Sequence, residues 1–224
     1  MIATCVAGAS FAAHYPARAF ADEAIELHAF SDVVHRGMNL TNGQPALGFT
    51  ASYDFQAGVF AGIGGHYANG DVSGSALRRS LHGHLGWFKA LGKGRALELA
   101  ISRYEFDDVD DWSYTELRGD WHLSRNLSLT AAWSPEYYGR AEAMNMAATW
   151  RPKISERSYF LVSGGAGRLG DDIDETIVWG TVGVGTRVSN FNVELTVSAV
   201  DDTTEQVLLT DAQTVALRIS YRLR

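Results

Sequence analysis

The chain alternates. From about residue 25 to residue 223 it reads as about twelve short segments in which apolar and polar side chains take turns. The last segment shows the pattern most plainly. Val215, Leu217, Ile219, Tyr221 and Leu223 fall on one face, and Ala216, Arg218, Ser220 and Arg222 on the other. Successive side chains of a strand point to opposite faces, so a two-residue period describes a sheet with one greasy and one wet side. An antiparallel sheet of this size must hide or close its edges. If hydrocarbon covers the greasy side, every backbone group must be paired within the protein, and only a closed barrel does that.

Charge is sorted between the connections. Four alternate connections are longer and acidic, or free of basic residues: 68–76; 107–111, with Asp107, Asp108, Asp110 and Asp111; 168–175, with Asp171, Asp172, Asp174 and Glu175; and 200–213, with Asp201, Asp202, Glu205 and Asp211. The intervening ones are mostly shorter and basic: Lys89, Lys93 and Arg95; Arg125; Arg151, Lys153 and Arg157; Arg187. Alternate connections of an up-and-down meander lie at opposite ends. The pattern therefore predicts an acidic end with long loops and a basic end with short turns, the layout of outer-membrane barrels.

At 224 residues, with no Pro- or Ser-rich linker, residues 22–224 are expected to form a single domain. Residues 1–21 read as a secretory signal: 2–13 are apolar, and Ala19-Phe20-Ala21 fits a small-x-small cleavage site. Cys5 has no lipobox around it, and cleavage would leave a chain without cysteine. A formal net charge of −7 argues against a nucleic-acid partner. No run of 18 apolar residues is found outside the N-terminus, so a membrane role has to come through strands.

The segments predict which side chains share a face. Segment one, over 25–36, sets Glu26, His28 and Asp32 against Ile25, Leu27 and Ala29. Segment four sets Arg78, Ser80, His82 and His84 against Leu77, Leu81, Leu85 and Trp87; segment five sets Glu98 against Leu97, Leu99 and Ile101. Segment six sets Glu116, Arg118, Asp120 and His122 against Leu117, Gly119, Trp121 and Leu123; segment eleven carries Glu194 on its polar face. Segments nine and ten (158–167 and 176–187) are glycine-rich and show no clear faces. Trp87, Trp121, Trp133, Trp150, Tyr53 and Tyr221 lie on the greasy side, several near segment ends, as interfacial girdles do. About twelve strands exceed the number whose interior is packed or holds one ligand, and fall short of the 16–18 that leave a wide channel. A narrow lumen is expected.

Residues 22–71 carry a more specific pattern: Phe30-Ser31-Asp32, His35-Arg36-Gly37, Asn42-Gly43-Gln44-Pro45-Ala46, Tyr53-Asp54 and Gly58-Val59-Phe60-Ala61-Gly62. This resembles the N-terminal signature of the TorF-family porins, outer-membrane proteins of proteobacteria. The chain departs from that pattern in having His35 where an aromatic usually precedes Arg-Gly, and Leu223-Arg224 where outer-membrane chains usually end on an aromatic. The resemblance implies an outer-membrane barrel, inserted by the barrel-assembly machinery among outer-membrane lipids and passing small hydrophilic solutes or ions.

The candidate pore-lining set is then Arg78, His82, His84, Glu98, Glu116, Arg118, Asp120, His122, Glu194 and Arg218, with Glu26 beside them. Such a mixed-sign lumen is either a selectivity constriction with a transverse field or an internal ion-pair network that plugs the barrel. Both demand pairing or water around each charge. The candidate acidic outer mouth is Asp107, Asp108, Asp110, Asp111, Asp171, Asp172, Asp174, Asp201 and Asp202; it predicts a weak cation preference. His82-x-His84 supplies half a metal site, which the flanking Arg78 disfavours, so neither metal nor cofactor is expected. An enzyme is not expected either. G-x-S-x-G is missing, and His28, His82, His84 and His122 fall on the polar face, whereas lipid hydrolases of this shape carry Ser and His on the outer face. Two alternatives remain: a barrel with a plugged lumen and a structural or lipid-modifying role, and a soluble periplasmic ligand-binding barrel. The latter would show the same alternation turned inside out.

Overall fold

The structure is a computed structural model and describes residues 23–68, 79–106, 112–138, 141–170, 175–201 and 213–223. Its strands, in chain order, are β1 (Glu23–Phe30), β2 (Val34–His35), β3 (Met38–Asn39), β4 (Ala46–Asp54), β5 (Val59–Ala68), β6 (Arg79–Gly92), β7 (Arg95–Phe106), β8 (Tyr114–His122), β9 (Leu127–Tyr137), β10 (Ala141–Trp150), β11 (Ser158–Leu169), β12 (Glu175–Val188), β13 (Phe191–Asp201) and β14 (Gln213–Leu223). Twelve of them close into an antiparallel up-and-down barrel; β2 and β3 form a separate two-stranded hairpin. Closure runs through the chain ends: β1 pairs with β4 on one side and with β14 on the other, where Ile25 faces Leu223 and Phe30 faces Arg218.

The apolar face is outside. Leu47 is 68 % exposed, Met146 66 % and Val215 64 %, and large apolar side chains recur at the outward positions of every barrel strand, with charged ones such as Arg103 and Glu105 toward the strand ends. Soluble monomers rarely expose contiguous apolar patches beyond a few hundred Å². A belt that runs right round the molecule is suited to hydrocarbon instead. Trp87, Trp121, Trp133, Trp150 and Tyr53 all lie on this surface, and Trp133 Nε1 donates to Glu142 Oε1 at 2.6 Å. Among the described residues no helix is long and apolar enough to cross a membrane, so any crossing is made by strands.

The described connections divide between the two ends of the barrel. Five short ones (55–58, 93–94, 123–126, 151–157 and 189–190), together with both described termini, lie at what we call the turn end. The other rim, the loop end, carries the remaining connections, beginning with 31–45. One expectation fails here. The first strand stops at Phe30 rather than running to Arg36, because Asp32 turns the chain inward by bonding to its own loop.

Candidate functional site

Residues 31–45 fold into the loop end of the barrel as a self-bonded hairpin. The Asp32 carboxylate accepts from Thr41 Oγ1 at 2.6 Å and from the Gly43 amide at 3.2 Å. The same Thr41 Oγ1 accepts the Val33 amide at 3.1 Å, and Asn39 Oδ1 accepts the amides of Thr41 and Asn42 at 3.1 and 2.7 Å. β2 and β3 meet across a two-residue turn, Arg36-Gly37, with His35 facing Met38. Both turn residues have positive φ, 47° and 81°, the requirement of the type I′ turn that suits hairpin twist. Gly37 is needed on a second count. A Cβ there would lie 2.7 Å from Trp179 Cβ and 2.8 Å from the Ala199 carbonyl oxygen, so the turn is pressed against the inner wall at β12 and β13.

Arg36 points the other way. Its Nη2 meets Glu116 Oε2 on β8 at 2.9 Å and its Nη1 donates to the Tyr137 hydroxyl on β9 at 3.1 Å. β9 lies six strands from β1 counted in either direction, so the hairpin spans the lumen. Around it is an aromatic collar at the same depth. Tyr104 stacks on Tyr114 at 4.7 Å, Tyr137 meets Tyr138 edge-on at 4.7 Å, and Trp112 meets Tyr138 edge-on at 5.9 Å. Val33 and Leu40 are buried in this collar together with Phe106, Leu169 and Val200. Buried in the hairpin, His35 has its pKa pulled well below the ordinary imidazole value, with the charges of Arg36 and Arg118 adding to the effect. Burial also raises the pKa of Asp32, against the hydrogen bonds from Thr41 and Gly43 that favour its charged form.

The predicted inward charges are all inward where they are described, and most are held in pairs. Arg118 grips Asp120 with two bonds, Nε to Oδ2 at 2.7 Å and Nη2 to Oδ1 at 2.9 Å, and Thr130 Oγ1 donates to the same carboxylate at 2.5 Å. Glu98 lies across from Asp120 in the β7–β8 register and is buried. Arg218 meets Glu194 at 3.0 Å, and the Tyr159 hydroxyl donates to that carboxylate at 2.8 Å. Forked Arg–carboxylate contacts of this kind fix geometry as well as charge. His82 and His84 stack with ring centres 6.4 Å apart, and His82 also stacks on Tyr104 at 5.7 Å. His28 bonds Ser220 Oγ at 3.0 Å and Thr50 Oγ1 at 3.2 Å. His122 is buried nearer the turn end. Arg78 lies outside the described residues, as do Asp107, Asp108, Asp110, Asp111, Asp171, Asp172, Asp174 and Asp202; Asp201 is exposed at the loop-end tip of β13.

Among the described residues, two adjoining cavities lie in the lumen behind the hairpin. One, of about 200 Å³, is bounded by Asp32, His35 and Arg36 from the hairpin and by Arg118, Arg151 and Arg218, among others. The second, of about 170 Å³, opens at the turn end and shares Ser128, Thr149 and Arg151 with the first. The alternation did not reveal the hairpin, the aromatic collar or the inward role of the turn-end cations. Signals were present. Arg36-Gly37 is a turn dipeptide, and Tyr104, Phe106 and Tyr114 occupy the phase of Ser102 and Glu116, so the polar face turns aromatic before the loop end is reached.

No protein-family model and no curated protein matches the chain. Solved structures do. The NanC porin superposes with a TM-score of 0.61 at 7 % identity, covering 89 % of this chain and 99 % of that one. The KdgM porin gives 0.55 at 9 % identity, covering 91 % and 99 %. A second KdgM structure, in complex with disordered oligogalacturonate, gives 0.53 at 9 % identity with the same coverage. At such identities the likeness is one of fold: this chain has the barrel architecture of outer-membrane porins.

Proposed function

We propose that the protein is an outer-membrane porin that passes small hydrophilic solutes through a narrow lumen, with the 31–45 hairpin as its constriction. The observation that carries this reading is a closed barrel with an apolar exterior whose interior holds paired charges and adjoining cavities. A barrel packed for purely structural ends has no need of charged side chains facing a cavity, since each costs desolvation. The lining set is His82, His84, Glu98, Glu116, Arg118, Asp120, His122, Glu194 and Arg218, with Arg78 as a further member from the sequence and Arg36 added by the structure. Its lipids are those of the bacterial outer membrane, and the barrel-assembly machinery inserts it. The porin fold of its structural neighbours supports that location, and the motif in residues 22–71 is what supports TorF-family membership.

A weak cation preference follows from the acidic segments between the loop-end strands. It is weak because the cavities behind the hairpin carry the opposite sign and act in series with that mouth. A planar-bilayer recording in a salt gradient tests the reading. Small, steady conductance with a modest cation-selective reversal potential is expected, and folded protein that inserts without conducting would remove the pore.

A further inference from the structure

We propose that the turn-end cavity is a binding site for a compact solute bearing two or more carboxylate or phosphate groups, with Lys153, Arg157 and Arg187 as its principal ligands. Five cationic side chains line it, Arg125, Arg151, Lys153, Arg157 and Arg187, against one carboxylate, Glu156. They come from three separate places: the β8–β9 turn, the 151–157 connection and the end of β12.

The frame that presents them is braced on both sides. The Arg151 amide donates to the Asn126 carbonyl at 2.7 Å, and the Arg187 amide donates to the Arg157 carbonyl at 2.9 Å. Within the connection, the Ile154 amide donates to the Ser158 carbonyl at 2.8 Å, and the Phe160 amide donates to the Pro152 carbonyl at 2.9 Å. The Arg187 guanidinium lies 5.7 Å from the centre of the Tyr159 ring. The backbone that carries the cations is therefore fixed before any ligand arrives, so binding has only side chains left to order.

Depth adds to the imbalance. Behind the rim, Arg151 and Arg218 face Glu194, which Arg218 and Tyr159 already engage. Burial lowers the Arg151 pKa from its ordinary value, Glu194 opposes this, and the charges of Arg218 and Arg187 add to it. Like charges gathered in a partly enclosed space repel, and a multivalent anion relieves all of them together. Arginine forks suit planar carboxylates and phosphates, and a cleft of one sign concentrates counter-ions. A volume of about 170 Å³ is the share of roughly five or six waters. It accommodates a small di- or tricarboxylate or a phosphorylated small molecule, not a polymer.

The binding itself is independent of transport; its use as a capture site on the solute path rests on the porin reading. Citrate is the probe. Titrated into folded full-length protein in lipid-free micelles, it should bind saturably with one site per barrel, and the affinity should fall as KCl is raised. The double variant Lys153→Gln/Arg157→Gln alters two exposed turn residues and should weaken binding by about tenfold or more. Lack of saturable binding by folded wild-type protein, or equal binding by the variant, overturns the proposal. In planar bilayers, citrate should reduce KCl current when added on the turn-end side, and much less from the other. Binding without conductance leaves the site and removes the pore; conductance with neither binding nor block leaves the pore and removes the site.

Discussion

Arg36 and Glu116 meet at 2.9 Å inside the barrel, 13 % and 4 % exposed, one on a hairpin that leaves β1 and the other on β8 across the lumen. The contact joins the hairpin to a strand across the lumen, and it turns a loop into a strut. Removing one partner of a buried ion pair costs about 3–5 kcal/mol in a dry interior because the other charge is stranded. Arg36→Ala should therefore loosen the hairpin and raise single-channel conductance, with the barrel still folded. Arg36→Met combined with Glu116→Leu should recover part of the lost stability but not the selectivity. Heat-dependent gel mobility and bilayer recordings separate the two effects; unchanged conductance in Arg36→Ala would take the hairpin off the solute path.

Hairpin docking should depend on pH through His35. Its pKa is depressed in the folded state, so the docked form favours neutral imidazole. That contribution is fully present above the ordinary value of about 6.5 and is lost as pH falls below it. Asp32 works in the opposite sense: with a raised pKa, its contribution is present at low pH and lost as pH rises through the shifted value. Below about 6.5 the two oppose each other, and His35 is shifted further, with Arg36 and Arg118 beside it, so acidification through that value should increase current fluctuations and open probability. His35→Phe should flatten the response; an unaltered pH profile in this variant would mean that another group senses the proton.

Gly37 gives a test that leaves charge untouched. An alanine there takes on a φ of 81° and a Cβ 2.7 Å from Trp179 Cβ. The left-handed conformation alone costs about 1–2 kcal/mol for an L-residue. Gly37→Ala should displace the turn from the wall, and Gly37→Val should do so more strongly. Each should raise conductance in that order without changing the strand content read by circular dichroism.

Charge reversal at Arg118 probes the cavity behind the hairpin. Arg118 is inward, bonded to Asp120 and part of the cavity wall. Arg118→Glu should move the reversal potential toward cation selectivity, and Glu116→Arg should move it the other way. A reversal potential that stays put for both would remove these residues from the ion path.

The outward face is tested by neighbours of opposite phase. Val182, mid-strand on β12 between Val162 and Val197, is 54 % exposed; Thr181 beside it points inward and bonds Ser198 Oγ at 2.9 Å. Val182→Arg should destabilise the barrel in lipid vesicles by about 2–4 kcal/mol, the mid-membrane cost of a guanidinium. Thr181→Arg should cost much less. Urea unfolding in vesicles measures both, and equal penalties would argue that the outer face does not meet hydrocarbon.

How far the sequence could be read varies from strand to strand for physical reasons. β8 and β14 were legible residue by residue, since Arg118 beside Leu117, or Arg218 beside Leu217, gives the strongest contrast a two-residue period can show. On β11 the contrast vanishes: Leu161 is buried and Val162 is exposed, yet both are apolar, and the glycines that follow carry no side chain to mark a face. Segment one read too long because the polar phase Glu26, His28 continues by chance through Asp32. What ends the strand is Asp32 bonding forward to Thr41 and Gly43, a contact across nine and eleven residues that periodicity does not register. Tyrosine misleads in another way. Tyr53 on the outer belt and Tyr114 in the collar are the same residue type, and only depth and facing distinguish a lipid anchor from a packed ring.

The hydrogen bonds of Asp32, Asn39 and Thr41 tie the 31–45 segment to itself; Ser31 roots it on Leu217 of β14, and beyond that root its grip on the wall rests on Arg36, Gly37 and the apolar contacts of Val33 and Leu40. A stopper with its own stiffness does not fray strand by strand. It withdraws whole, so if the lumen conducts as proposed, a bilayer recording should flicker between two discrete levels rather than drift through a continuum of widths.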